Sequence, residues 1–182
     1  MIKLFHYLST YFEVLVILLM IFLLIRSQYF SDGEWKSYHE NGKLAEIGFY
    51  KDSKKVGEWK SYHENGELWK IGSYKDDKVE GEWKSYHENG ELLEIDFWKD
   101  GNREGVRKRY HENGKLALVA SWKDDKQEGE WKYYHENGKL WMIGSYKDGK
   151  HEGQWQVYEK NGKLEKIEHF KNGKLIKEER PK

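Results

Sequence analysis

Gly33-Glu34-Trp35-Lys36-Ser37-Tyr38-His39-Glu40-Asn41-Gly42 is a phrase that returns five more times along the chain, with growing variation. Its opening glycine recurs at Gly57, Gly81, Gly105, Gly129 and Gly153, and its asparagine at Asn65, Asn89, Asn113, Asn137 and Asn161. The spacing is 24 residues throughout, with no insertion. A fixed period of this size marks an array of stacked copies, each too small to bury a core alone, and not a compact domain. The reading is therefore an all-β array of six repeats over residues 32–178, preceded by a separate segment, 1–31, and followed by a charged tail, 179–182.

Composition narrows the function. The 32 basic residues (Lys and Arg) equal the 32 acidic ones, so the basic excess of a nucleic-acid binder is missing and no nucleic-acid partner is expected. Nine Trp, thirteen Tyr and seven Phe against a single Pro lean towards strands, because rings suit a pleated, half-buried surface. There is no cysteine, which excludes disulfides, thiolate metal sites and a cysteine nucleophile.

Ahead of the repeats, Val14 to Ile25 is an unbroken apolar run, and the stretch back to Leu8 is interrupted only by Ser9, Thr10 and Glu13 among its apolar and aromatic residues. Because about 20 apolar residues span a bilayer as a helix, this segment reads as a single-pass N-terminal membrane anchor. A cleaved signal peptide is the alternative, with Lys3 as its basic start and Ile25-Arg26-Ser27 as a weak cleavage site.

Within a repeat, Asn-Gly between aromatic and apolar runs predicts a β-hairpin, since glycine accepts the positive φ that closes the turn. A three-residue loop, Glu40-Asn41-Gly42, pairs Tyr38 with Leu44, Lys36 with Glu46 and Trp35 with Ile47, giving apolar and opposite-charge neighbours. Gly42, Gly66, Gly90, Gly114, Gly138 and Gly162 are then the structural turn residues. A second three-residue loop, Lys51-Asp52-Ser53, sets Ile47 opposite Gly57 and Ala45 opposite Trp59. This predicts a twisted antiparallel meander of about a dozen strands with a thirteenth near Lys174 to Glu178. Its length is roughly 55–60 Å at ~4.8 Å per strand. One face carries the Trp row with the Ile row. The other carries the Tyr38 row, the Leu44 row and the strand-end aromatics Tyr50, Tyr74, Trp98, Trp122, Tyr146 and Phe170.

The unit Tyr134-x-x-Asn137-Gly138-x-Leu140, followed by Tyr146-Lys147-Asp148-Gly149-Lys150-x-x-Gly153, resembles the MORN repeat, in the variant found in YwqK-type bacterial antitoxins. The resemblance covers Asp32 to about Lys177. It implies a β-hairpin array used as a binding scaffold and, for the YwqK branch, an antitoxin or immunity role against a partner toxin.

The residues themselves point away from catalysis. His39, His63, His87, His111 and His135 recur one repeat apart, and nitrogens roughly 9.6 Å apart cannot share a zinc ion, so no metal or other cofactor is expected. The carboxylates recur as regularly, and a repeat gives each copy nearly the same environment, whereas an acid–base pair needs two different ones. The aromatic rows are a stronger candidate, because a single-layer sheet has no second layer to cover both faces and an exposed apolar strip marks a contact surface. Repeat four breaks the pattern: Val106-Arg107 replaces Glu-Trp. Trp98, Arg103, Arg107, Arg109 and Trp122, with Trp69 and Trp141, are therefore the candidate partner-binding residues, a set that suits an acidic protein surface. A protein partner, a toxin among the options, is the leading expectation. The alternative is a membrane-anchored envelope module that binds glycan or lipid headgroups through its aromatic rows.

Overall fold

The computed structural model describes residues 14–20 and 32–181. Residues 14–20 form a helix of seven residues, about 10 Å long at 1.5 Å per residue, against a bilayer core of about 30 Å. Among the described residues no helix is long and apolar enough to cross a membrane. This overturns the expected single-pass anchor: an apolar run fixes hydropathy, but a span also needs about 20 residues of continuous helix. The alternative cleavage site, Ile25-Arg26-Ser27, lies outside the described residues.

All remaining elements among the described residues are strands. The first hairpins are β1 (Gly33–Tyr38), β2 (Leu44–Lys51), β3 (Lys54–Tyr62), β4 (Leu68–Lys75), β5 (Lys78–Tyr86) and β6 (Leu92–Lys99). The middle of the chain supplies β7 (Asn102–Arg103), β8 (Gly105–Tyr110), β9 (Leu116–Lys123), β10 (Lys126–Gln127) and β11 (Gly129–Tyr134). The last are β12 (Leu140–Lys147), β13 (Lys150–Tyr158), β14 (Leu164–Lys171) and β15 (Lys174–Glu179). They form one antiparallel sheet in which strands follow chain order, with the short β7 and β10 paired beside the main path of thirteen. The expected meander is present, with β15 as its last strand.

Two loop types alternate. At the Asn-Gly end the amide of Gly42 donates to the carbonyl of His39 at 2.9 Å, and the amide of His39 donates to the carbonyl of Lys43 at 2.8 Å. Gly42 takes φ +82°, and its equivalents to Gly162 are all positive. This is a three-residue loop with a left-handed third residue. The other end differs from expectation. Lys51 pairs with Lys54, leaving a two-residue turn, Asp52-Ser53, with both φ values positive (52° and 60°). That is a type I′ turn, whose twist matches the flanking strands, and Asp tolerates the left-handed conformation it demands.

The register is corrected in the same way. Tyr38 pairs with Leu44, but a bulge at Ala45 then sets Ser37 opposite Glu46, Lys36 opposite Ile47 and Trp35 opposite Gly48. On the next ladder Phe49 pairs with Val56 and Ile47 with Lys60, so Gly48 faces the whole Gly57-Glu58-Trp59 stretch. Side chains directly opposite share a face. The Trp row therefore lies with Tyr50 and its equivalents, and the Ile row moves to the other side, opposite the lysines.

The reason is steric. A Cβ on Gly48 would lie 2.1 Å from Cδ2 of Trp59, and Gly72 under Trp83 and Gly144 under Trp155 repeat that distance. The indole lies flat on bare backbone, which only a Trp–Gly pairing permits. Tyr50 meets Trp59 edge-on at 5.2 Å and 88°, and Tyr74 meets Trp83 at 5.2 Å and 84°. Trp59 and Trp155 are each only 1% exposed. Burying an indole of roughly 200 Å² contributes on the order of 5 kcal/mol as an upper bound. The core is thus a line of rings interleaved along one face.

Candidate binding surface

The recurring polar residues stitch one repeat to the next. Nε2 of His39 donates to the carbonyl of Tyr62 at 2.9 Å, and His63, His111 and His135 do the same to Tyr86, Tyr134 and Tyr158. The side-chain amide of Asn41 donates to the carbonyl of Glu64 at 2.9 Å, and its oxygen accepts from the amide of Lys43 at 3.0 Å. At the opposite end the carboxylates of Glu80, Glu104, Glu128 and Glu152 accept from turn amides of the following repeat. These imidazoles, amides and carboxylates are committed to structure. Among the described residues no three His, Asp or Glu side chains gather to hold a metal ion.

The ladder breaks at two facing places where repeat three meets repeat four. Asp96 stands where Gly48 and Gly72 do, and Arg107 stands where Trp59 and Trp83 do. The Arg107 guanidinium pairs with the Glu94 carboxylate, and its Nε lies 3.9 Å from Asp96. Nε of Arg103 donates to Asp96 at 3.3 Å. The Arg103 guanidinium also stacks between two indoles, 4.9 Å from the centroid of Trp98 and 5.1 Å from that of Trp122. Asp96 is 5% exposed, and its burial pushes its carboxyl above the usual range, with Arg107 acting the other way.

Of the residues singled out in the sequence, Trp98, Arg103, Arg107 and Trp122 thus come together, but in a self-neutralised cluster of two cations and two carboxylates. Arg109 pairs in register with Glu94 on one side and Leu118 on the other, and it is exposed. The sequence reading missed Glu94 and Asp96. The signal was available: the copy that loses its Trp is preceded by the one that carries Asp in place of the facing Gly.

Trp69 and Trp141 stand apart from this cluster. Each is the extra residue of a bulge, skipped in the strand register: Ser61 faces Lys70 while Tyr62 faces Leu68, and Tyr133 faces Met142 while Tyr134 faces Leu140. Both rings are exposed, each beside the histidine of its own hairpin, with centroids 5.9 Å apart. Trp69 lines a groove of about 810 Å³ with His39, Glu46, His63, Glu64 and Glu88. Trp141 lines a groove of about 560 Å³ with Tyr134, His135, Glu136 and Lys160.

On the other face each lysine of the regular row folds back on the glutamate two residues before it: Lys36 on Glu34 at 2.5 Å, Lys60 on Glu58 and Lys84 on Glu82 at 2.8 Å, and Lys132 on Glu130. Exposed pairs of this kind contribute about 0–1 kcal/mol each and leave the face close to neutral.

An open sheet of tandem hairpins, held by repeat-to-repeat ladders and offering grooves between copies, defines a β-hairpin repeat scaffold. Six segments, 31–52, 55–76, 79–100, 103–124, 127–148 and 152–172, match the family described as MORN repeat variant. Together they cover well over half of the chain, and the protein belongs to that family. A search of curated proteins returned no match.

Proposed function

We propose that the protein is a non-catalytic scaffold that binds another protein along its sheet. The observation that carries this reading is the set of large apolar side chains left open on a single-layer sheet: Phe49, Trp69, Phe97, Val106 and Trp141. Large exposed apolar surface on a soluble fold marks a contact site, and Trp is the residue most enriched in interface hot spots. Commitment of the recurrent His, Asn and Glu side chains to the ladders supports a binding role over chemistry. Antitoxin or immunity activity against a partner toxin is the finer form of the proposal, and it rests on the resemblance of the repeat to that of YwqK-type antitoxins. Co-expression of the full chain with the products of its neighbouring genes, followed by size-exclusion chromatography with light scattering, tests it. A stoichiometric complex is the expected result, and the finer form also requires the chain to rescue cells from that partner. Separate elution of every candidate overturns the protein-binding reading.

A second reading, stacking of sugar rings on exposed indoles, is favoured by Trp69 and Trp141. It predicts quenching or a shift of tryptophan emission on addition of soluble glycan fragments, lost in the W69A/W141A double variant.

A further inference from the structure

We infer that the face carrying the isoleucine row holds, at repeat four, a docking point for an acidic, apolar-flanked segment of a partner protein, centred on Lys108; this rests on the protein-binding reading above. The lysines of this row alternate across the sheet with β-branched residues: Lys84 faces Ile95, Ile95 faces Lys108, Lys108 faces Val119, and Val119 faces Lys132. Every other lysine of the row has a glutamate two positions earlier and pairs with it. Lys108 has Val106 there, and it makes no ion pair among the described residues. Lys108 is exposed, in register between Ile95 and Val119, while Val106 is 41% and Phe97 39% exposed on the same face.

The substitution of Val for Glu acts twice at one spot. It removes the carboxylate that neutralises the lysine in four other copies, and it adds apolar surface next to the cation. The surface therefore lacks an anion that it supplies for itself elsewhere, and it offers apolar side chains to flank one. The arginines of the repeat lie on the opposite side of the sheet, Arg109 by its alternation with Lys108. Arg103 and Arg107 are turned to the Trp face and held there by Asp96 and Glu94. Charge complementarity thus selects an Asp or Glu side chain set among large apolar residues, with the lysine giving orientation and the Phe97–Val106 surface giving area.

A displayed library of random linear peptides, selected on the full-length protein, tests this. The enriched peptides are expected to carry Asp or Glu beside large apolar residues. Their affinity should fall about tenfold or more on K108E, as expected when a charge pair at an interface is lost. The variant V106E should weaken binding as strongly, because it restores the glutamate of the other copies and lets Lys108 pair internally. Since Glu is the repeat's own residue at that position, V106E is expected to keep the wild-type circular dichroism spectrum. Enriched peptides without an acidic residue, or acidic peptides that bind V106E as tightly as the wild type, overturn the site and leave the scaffold reading standing. A selection that enriches nothing overturns both.

Discussion

At the scale of single residues, the sheet depends on a two-residue cradle in which a tryptophan lies on a glycine one strand away. Ala120 shows what one extra carbon does. Trp131, which packs against it, meets Tyr146 at 55°, whereas Trp59 meets Tyr74 at 79°. The two rings meet at a smaller angle in the copy with the methyl group, and Trp131 remains buried. Gly48→Ala should force Trp59 to shift, since the new Cβ would lie 2.1 Å from its Cδ2, and lower stability by about 1–3 kcal/mol, the usual range for overpacking, read from urea midpoints. The Asp96–Arg107 pair is the cradle rewritten in charge. Arg107→Trp alone should be strongly destabilising, because the indole would meet the Asp96 side chain. Asp96→Gly with Arg107→Trp restores the repeat's own pair and should raise stability by about 1–4 kcal/mol, as replacing buried ion pairs with packed apolar groups does. The pH dependence has a definite sign. Burial raises the Asp96 carboxyl above its ordinary range, so its contribution is fully present below the ordinary Asp value and is lost as pH rises through the raised one. The advantage of the double variant should therefore be larger at neutral pH than in acid. An advantage that grows on acidification would contradict the burial-dominated assignment.

At the scale of the hairpin, the two loops do different jobs with different chemistry. The Asn-Gly loop uses a left-handed glycine and sends its histidine and asparagine to the next repeat's carbonyls, while the Asp-led turn uses two left-handed residues and recruits a carboxylate from the repeat before it. His63→Ala removes the bond from its Nε2 to the carbonyl of Tyr86 and should cost about 0.5–1.5 kcal/mol, measured by denaturant melting. The period, the strand number, the first loop and the meander were legible in the sequence, because Asn-Gly and aromatic alternation are local signals. The register was not. Sequence pairing without bulges put Ile47 beside Trp35, preferring an apolar neighbour for a large ring. The close fit of an indole on bare backbone inverts that preference, and it is a contact between strands that no single strand encodes. Repeat four was legible as an exception, since Arg107 stands where a Trp recurs. Its neutralisation was hidden until the strands brought Glu94, Asp96 and Arg103 to it, and alternation turns Lys108 to the opposite face.

At the scale of the whole molecule, stability is a sum of neighbour contacts, so it should vary along the array. Cradled indoles join β2 to β3, β4 to β5 and β12 to β13, and Trp131 on Ala120 joins β9 to β11. The joint between β6 and β8 has the ion-pair cluster of Glu94, Asp96, Arg103 and Arg107 in their place. A buried ion pair stabilises less than packed apolar groups of the same volume, so this joint is the weak seam of the array. β15, exposed along its whole length, is the weak end. Hydrogen exchange should then show β8 and β15 amides exchanging faster than those of β3, β5 and β13. Asp96→Gly with Arg107→Trp should slow exchange in β8 and leave β15 unchanged, because the substitutions repair only the joint they sit in. Uniform protection from β3 to β13 would mean that the sheet opens as a single cooperative unit and that the seam has no separate equilibrium.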